Sequence, residues 1–428
     1  MTQVSASPPV SGNTLAQRYR CIREFSEQLS EPLSAEDCAI QSMPDVSPTR
    51  WHLAHTTWFF ETFLLSQQPN YRPFDESFAY LFNSYYNTIG EQYPRARRGM
   101  ITRPALAEVI EYRRHVDDQL MQLLASPVGE NERVADIVEI GLQHEQQHQE
   151  LILTDIKHVL AQNPLRPVYR DGTFARNAEA ATLNWDAYSE GIYWTGHDTD
   201  GFCFDNEMPH HREFVESFQL ADRLVTCGEY LHFMEDGGYS SPEHWLSLGW
   251  DTVCSERWES PLYWYYEDGR WFEFTLAGPV PVDPARPVTH VSYFEADAFA
   301  RWASLQTPGV RLPTEAEWEV AAADAELTAN FADRLWVSNR AMHPQVEMEG
   351  ATGLVGNAWQ WTSSPYTAYP GYQASAGALG EYNGKFMCNQ FVLRGGSCAT
   401  SSSHIRTTYR NFFPPSARWQ FTGIRLCR

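Results

Sequence analysis

The most constraining feature of this chain is a change of texture near residue 165. Before it, apolar residues recur with helical spacing over Leu15 to Leu29, Trp51 to Leu65, Leu106 to Leu124 and Arg133 to Leu160. After it, short apolar or aromatic runs alternate with Gly, Pro, Asn and Asp, as in Gly191-Ile192-Tyr193-Trp194-Thr195-Gly196. One hydrophobic core rarely organises 428 residues. The pattern therefore predicts two domains: a four-helix, up-and-down bundle over residues 1–175, and an irregular α+β domain over residues 176–428.

Within the last helical run, Ile137, Ile140, His144, Gln147, His148 and Leu151 fall on one stripe. Two imidazoles one turn apart on such a stripe can hold one metal ion, although the same spacing also arises on solvated helix faces. Neutral imidazoles suit zinc, copper, nickel or iron, and a stable site needs a third ligand. The earlier run Trp51-His52-Leu53-Ala54-His55 offers two candidates one turn apart. One of them joining His144 and His148 gives three imidazoles, and the other is then a packing residue or a partner behind the site.

The balance of 32 basic against 54 acidic residues, a formal charge of −22, repels nucleic acid and anionic membrane. No run of about 18 apolar residues is present, and Met1 to Asn13 lacks the basic-then-apolar order of a leader, so a cytoplasmic protein is expected. The eight cysteines are scattered, with no Cys-x-x-Cys, and are expected to be free thiols. Between two bundle helices, Asn83-Ser84-Tyr85-Tyr86-Asn87 and Tyr93-Pro94-Arg95-Ala96-Arg97-Arg98 form a connection with turn chemistry. Its tyrosines are packing residues or, beside a redox metal, proton or electron donors; its arginines are surface ion-pair residues or receivers of a substrate carboxylate.

Taken together, these motifs resemble a known family. The first half, with Ser47-Pro48-Thr49-Arg50-Trp51-His52-Leu53-Ala54-His55 and the histidine run at 144–150, resembles the DinB-like iron-binding bundle of the ergothioneine-biosynthesis sulfoxide synthases, the hercynine oxygenases. The second half resembles the formylglycine-generating-enzyme-like domain fused to it. That likeness is carried by Arg286-Pro287-Val288-Thr289-His290, Arg311-Leu312-Pro313-Thr314-Glu315-Ala316-Glu317-Trp318-Glu319, Gly356-Asn357-Ala358-Trp359-Gln360-Trp361, Leu393-Arg394-Gly395-Gly396-Ser397 and Thr422-Gly423-Ile424-Arg425-Leu426. The resemblance implies a non-haem Fe(2+) held by His55, His144 and His148. It implies an O2-dependent reaction joining the sulfur of cysteine to C2 of the imidazole of hercynine, the Nα-trimethyl betaine of histidine.

The same resemblance selects Tyr85 and Tyr86 as the active-site tyrosines, Gln147 as the amide facing the substrate imidazole, and Arg95 and Arg98 as candidates for the cysteine carboxylate. Glu150 is read as a partner orienting an imidazole. Asn411, Phe412 and Phe413 match the pocket for the trimethylammonium group, with Phe413 standing where another subgroup has an acidic residue. An aromatic face can hold such a cation.

Rival readings are a synthase using unmethylated histidine and bonding at C5, a selenium-transferring relative, formylglycine generation, and a zinc-stabilised binding module without catalysis. The absence of a methyltransferase domain after residue 428 weighs against the first of these. Formylglycine generation needs two cysteines at positions that here hold Thr400 and Ile405. Nothing in the sequence fixes an oligomeric state.

Overall fold

A computed structural model describes residues 14–175, 179–198, 200–325, 327, 330–347, 353–375 and 377–428. Met1 to Asn13, the stretch on which the expectation about a leader rests, lies outside the described residues. The chain divides into two compact units, Met1–Arg170 with Gly377–Tyr382, and Asp171–Ala376 with Asn383–Arg428. The sequence pattern predicts two continuous halves; Gly377–Tyr382 instead belongs by its contacts to the first unit.

The first unit contains helices α1 (Leu15–Ser30), α2 (Thr49–Phe63), the single turn α3 (Phe78–Leu81), α4 (Leu106–Leu124) and α5 (Glu132–Ala161). Their starts follow from local chemistry. The Thr14 hydroxyl accepts from the Gln17 amide while the Gln17 side chain accepts from the Thr14 amide, closing a capping box. Helix α2 begins directly after Pro48, whose fixed φ suits that position, and the Asn131 side chain accepts from the Arg133 amide at the head of α5.

Tyr19, Ile22, Phe25, Trp58, Phe59, Phe60, Val109, Tyr112, Val116, Val138, Leu142 and Ile152 are buried as its core. Gly141 is required by the closeness of α2 and α5, because a Cβ there would press into the Phe60 ring. That approach, one turn before His144, is what lets side chains from the two helices meet. A buried charge network ties α5 to α1 and α4: the Glu145 carboxylate accepts from Arg23 (2.8 Å), Arg113 (3.0 Å) and the Ser26 hydroxyl (2.6 Å).

The second unit is α+β. Strands β1 (Trp185–Tyr188) and β4 (Phe218–Ala221) pair antiparallel, as do β2 (Gly191–Thr195) and β3 (His211–Val215). Strands β5 (Trp264–Glu267), β6 (Arg270–Thr275) and β7 (Gly278–Pro281) form a meander. A four-stranded sheet runs in the order β10 (Asn411–Phe413), β9 (Phe391–Arg394), β8 (Trp359–Pro365), β11 (Thr422–Gly423), the last pair parallel. Helices α6 (Cys227–Glu235), α7 (Ser247–Glu256), α8 (Tyr293–Gln306) and α9 (Glu315–Ala321) belong to the same unit.

The motifs of this half build the fold. Thr314 and Glu317 close a capping box at the head of α9, and Glu317 also pairs with Arg311. The Gln360 amide oxygen accepts from Trp318 Nε1 (2.8 Å) and Arg425 Nε (2.7 Å), joining three of the motifs in one buried knot. Among the described residues, no helix is long and apolar enough to cross a membrane.

Candidate metal centre

His52 and His55 stand on α2, and His144 and His148 on α5, all four buried or nearly so. One nitrogen each from His55, His144 and His148 lies within 4.8 Å of the others, the one such cluster of metal-ligating side chains among the described residues. Nε2 of His55 is 3.2 Å from Nε2 of His144. Nδ1 of His55 lies 2.6 Å from the Phe82 carbonyl oxygen, which can only accept, so the proton sits on Nδ1 and the lone pair of Nε2 faces the cluster. Trp51 stacks on the His55 ring at 4.6 Å and 12°, fixing its plane.

Burial first, and the neighbouring imidazoles second, hold His55 and His148 well below the ordinary histidine range; burial pushes His144 down to about 4. The three rings are thus neutral at physiological pH, the protonation state that ligation requires. Two nitrogens about 2.1 Å from one ion and at right angles to each other would stand about 3.0 Å apart. The 3.2 Å spacing of the two Nε2 atoms fits a shared ion. The residues present therefore fit a divalent transition metal with three imidazole ligands.

Behind the cluster lie His52, the other histidine of the α2 pair, and Asp155, which the sequence did not single out. Nδ1 of His52 is 2.8 Å from Nδ1 of His148, and Nε2 of His52 is 3.0 Å from Oδ2 of Asp155. Asp155, seven residues beyond His148 on α5, thus places a carboxylate behind His52. Glu150 is half-buried on the same helix. Gln147 is half-buried between the two α5 histidines in sequence.

The connection between α3 and α4 carries the tyrosines and arginines. Tyr85 adopts a left-handed backbone at φ 69°, an uncommon conformation for a non-glycine residue. Its amide donates to the Gln92 side chain, and its hydroxyl accepts from Arg95 at 2.7 Å. Tyr86 is buried against Trp58 and Phe63, and burial raises its hydroxyl above the ordinary range.

Arg98 is buried, with its guanidinium 3.4 Å above the Trp51 ring and hydrogen bonds to the hydroxyls of Ser47 (3.0 Å) and Ser84 (2.8 Å). No carboxylate pairs with it among the described residues, and burial pushes its pKa down to about 9. Glu381, from the segment that joins this unit, accepts from the amides of Asn87 (3.0 Å) and Thr88 (3.1 Å) and from the Thr88 hydroxyl.

In the second unit, Asn411, Phe412 and Phe413 form the half-buried edge strand β10. Phe412 stacks on Tyr366 at 4.0 Å and 11°, whereas Phe413 meets Trp419 edge-on at 5.7 Å. Thr400 accepts from the Ser397 amide, Ile405 lies in the core and Cys398 is a buried cysteine outside any disulfide.

The model of the sulfatase-modifying factor enzyme 1-like domain matches residues 189–349 and 347–428, and that of the DinB superfamily matches residues 20–152. A hercynine oxygenase of Mycolicibacterium thermoresistibile is 30% identical over 414 residues, covering 90% of this chain and 87% of that protein. The hercynine oxygenase of Mycolicibacterium smegmatis is 33% identical over 250 residues, which span 53% of this chain and 56% of that relative. A formylglycine-generating enzyme of Streptomyces coelicolor is 28% identical over 243 residues, 48% of this chain and 75% of that protein.

Proposed function

This chain belongs to the hercynine oxygenase family, and on that premise we propose that it is an iron(II)- and O2-dependent sulfoxide synthase joining the sulfur of cysteine to C2 of the hercynine imidazole. The observation that carries the reading is the convergence of three buried, neutral imidazoles, His55, His144 and His148, without a carboxylate among them. Bound iron(II) would supply the activation of dioxygen, which zinc, lacking redox chemistry, does not.

The net reaction fixes what the side chains must do. The thiol S–H and the C2–H of the imidazole are lost, one oxygen atom ends on sulfur, and the other leaves in water with both hydrogens. Two protons therefore move. Tyr85 Oη, held by Arg95, is assigned the transfer of one of them, and Tyr86 packs the loop against Trp58. Arg98, a buried cation with only neutral partners, is assigned the carboxylate of the sulfur donor, with Arg95 beside it. Pairing with an anion would relieve the cost of burying that charge.

Gln147 is assigned the hydrogen bond to the hercynine imidazole. The assignment of the trimethylammonium group to Asn411, Phe412 and Phe413 rests on the resemblance and on the aromatic character of β10. Localisation in the cytoplasm is part of the same reading, in keeping with the free thiols.

The test is anaerobic loading with iron(II), then oxygen with hercynine and either cysteine or γ-glutamylcysteine, and mass analysis of the product. A cysteine-derived sulfoxide at C2 is expected. Stoichiometric zinc in the purified protein, with no oxygen uptake after iron loading, would remove the reading.

A further inference from the structure

Two of the three imidazoles in the cluster are held from behind, and in different ways. His55 is anchored by a backbone carbonyl, that of Phe82. His148 is anchored by a side chain that is itself anchored. Its Nδ1 lies 2.8 Å from Nδ1 of His52; Nε2 of His52 lies 3.0 Å from Oδ2 of Asp155; and that same oxygen accepts from the backbone amide of Ser47 at 2.8 Å.

Only one distribution of protons satisfies every pair with both rings neutral. The Asp155 carboxylate can only accept, so His52 carries its proton on Nε2 and presents a lone pair at Nδ1. His148 must then carry its proton on Nδ1 and donate it to His52. The lone pair of His148 is left on Nε2, the atom free to join His55 and His144. Since both nitrogens of His52 are engaged, His52 is not itself available as a ligand.

We propose that Asp155 and His52 form a positioning relay that fixes the tautomer and the rotation of His148 and places a carboxylate's charge behind a neutral ligand set. The inference rests on the reading of His55, His144 and His148 as a metal centre. The elements are well suited to hold it. Asp155 lies seven residues after His148 on α5, two turns along the same face, and His52 precedes His55 by three residues on α2, so each couple shares a stripe. Ser47 stands just before Pro48, so the start of α2 pins the far end of the chain of bonds. His144 has no partner at Nδ1, so the relay serves one specific ligand. A hydrogen-bonded carboxylate behind an imidazole raises its basicity and orients its ring, and loss of such partners typically costs 10- to 100-fold in metal affinity.

The test combines two measurements. Histidine-selective 15N NMR of the metal-free protein should show His148 protonated at Nδ1 and His52 at Nε2. Anaerobic competition titration with iron(II) should show binding weakened about 10- to 100-fold in Asp155→Asn and His52→Phe. His52→Asn, whose side-chain oxygen can take the place of Nδ1, should recover part of the loss.

His148 protonated at Nε2 in the unaltered protein, or affinities within about twofold of it in both weakened variants, would overturn the relay. The NMR arm needs neither a variant nor a metal. An unaltered protein that binds no iron(II) therefore refutes the metal reading, while the relay is still decided by its tautomers.

Discussion

Arg95 Nη1 donates to the hydroxyl of Tyr85 across 2.7 Å, and Tyr85 meets it from a left-handed backbone at φ 69°. Such a conformation costs of order 1 kcal/mol or more in a non-glycine residue and persists where its surroundings enforce it. Tyr85→Phe and Arg95→Met should each lower the rate of sulfoxide formation by about 100-fold or more, the scale of a lost proton transfer, and raise the share of cysteine sulfinate. Because the arginine acts through the hydroxyl, the double variant should be no worse than the more damaging single one. Product analysis of the three variants decides it; additive losses, or an unchanged sulfoxide-to-sulfinate ratio, would show that the two residues do not act together.

Arg98 makes an opposite pair of predictions for binding and for stability. Its buried charge meets only the Trp51 ring and two hydroxyls, with no anion among them, so it costs the empty protein stability and is stabilised by an arriving carboxylate. Arg98→Met should raise KM for the sulfur donor by about 10- to 100-fold, the worth of charge-assisted hydrogen bonds, with a melting temperature equal to or above that of the unaltered protein. A lowered melting temperature with unchanged KM would make Arg98 a structural residue.

The Glu381 carboxylate holds the amides of Asn87 and Thr88, immediately after the two tyrosines. Glu381→Ala should speed hydrogen exchange at those two amides while leaving exchange in α2 and α5 unchanged. If exchange at residues 87 and 88 stays at its original rate, the loop is held by other contacts.

The second unit should be sensitive to acid. Burial alone would raise the Glu315 carboxyl, but Arg410 (2.7 Å) and Arg394 (3.1 Å) outweigh it and hold the group below its ordinary value of 4.5. Arg406 does the same for Glu207, and Arg311 for Glu317. A carboxyl whose folded pKa lies below its unfolded one stabilises the fold above the unfolded value, and that stability is lost as pH falls through the folded value. Unfolding of this unit should therefore become easier as pH drops below about 4.5. Glu315→Gln should cost about 3–5 kcal/mol at neutral pH, since it leaves buried arginines short of a partner. Denaturant titrations at pH 7 and pH 4 check both statements.

What the sequence determined by itself was whatever depends on neighbours along the chain. Helical spacing put His144 and His148 on one stripe of α5, the capping signals at Thr14 and Asn131 started helices where they stand, and the shift to Gly- and Pro-punctuated runs marked the second unit. Spacing could not choose between His52 and His55, because residues three apart on a helix face the same way. That choice belongs to the tertiary structure. Phe82, from another turn of the bundle, takes Nδ1 of His55, while His148 and Asp155 take both nitrogens of His52.

Asp155 was not legible, since a lone acid late in a helix most often faces solvent. Glu381 was not either, as it reaches Asn87 and Thr88 across nearly three hundred residues of chain. Hydrogen bonds of that kind depend on which surfaces come within about 3 Å once helices have packed. Close packing of α5 on α2 at Gly141 sets that distance, and no local pattern records it.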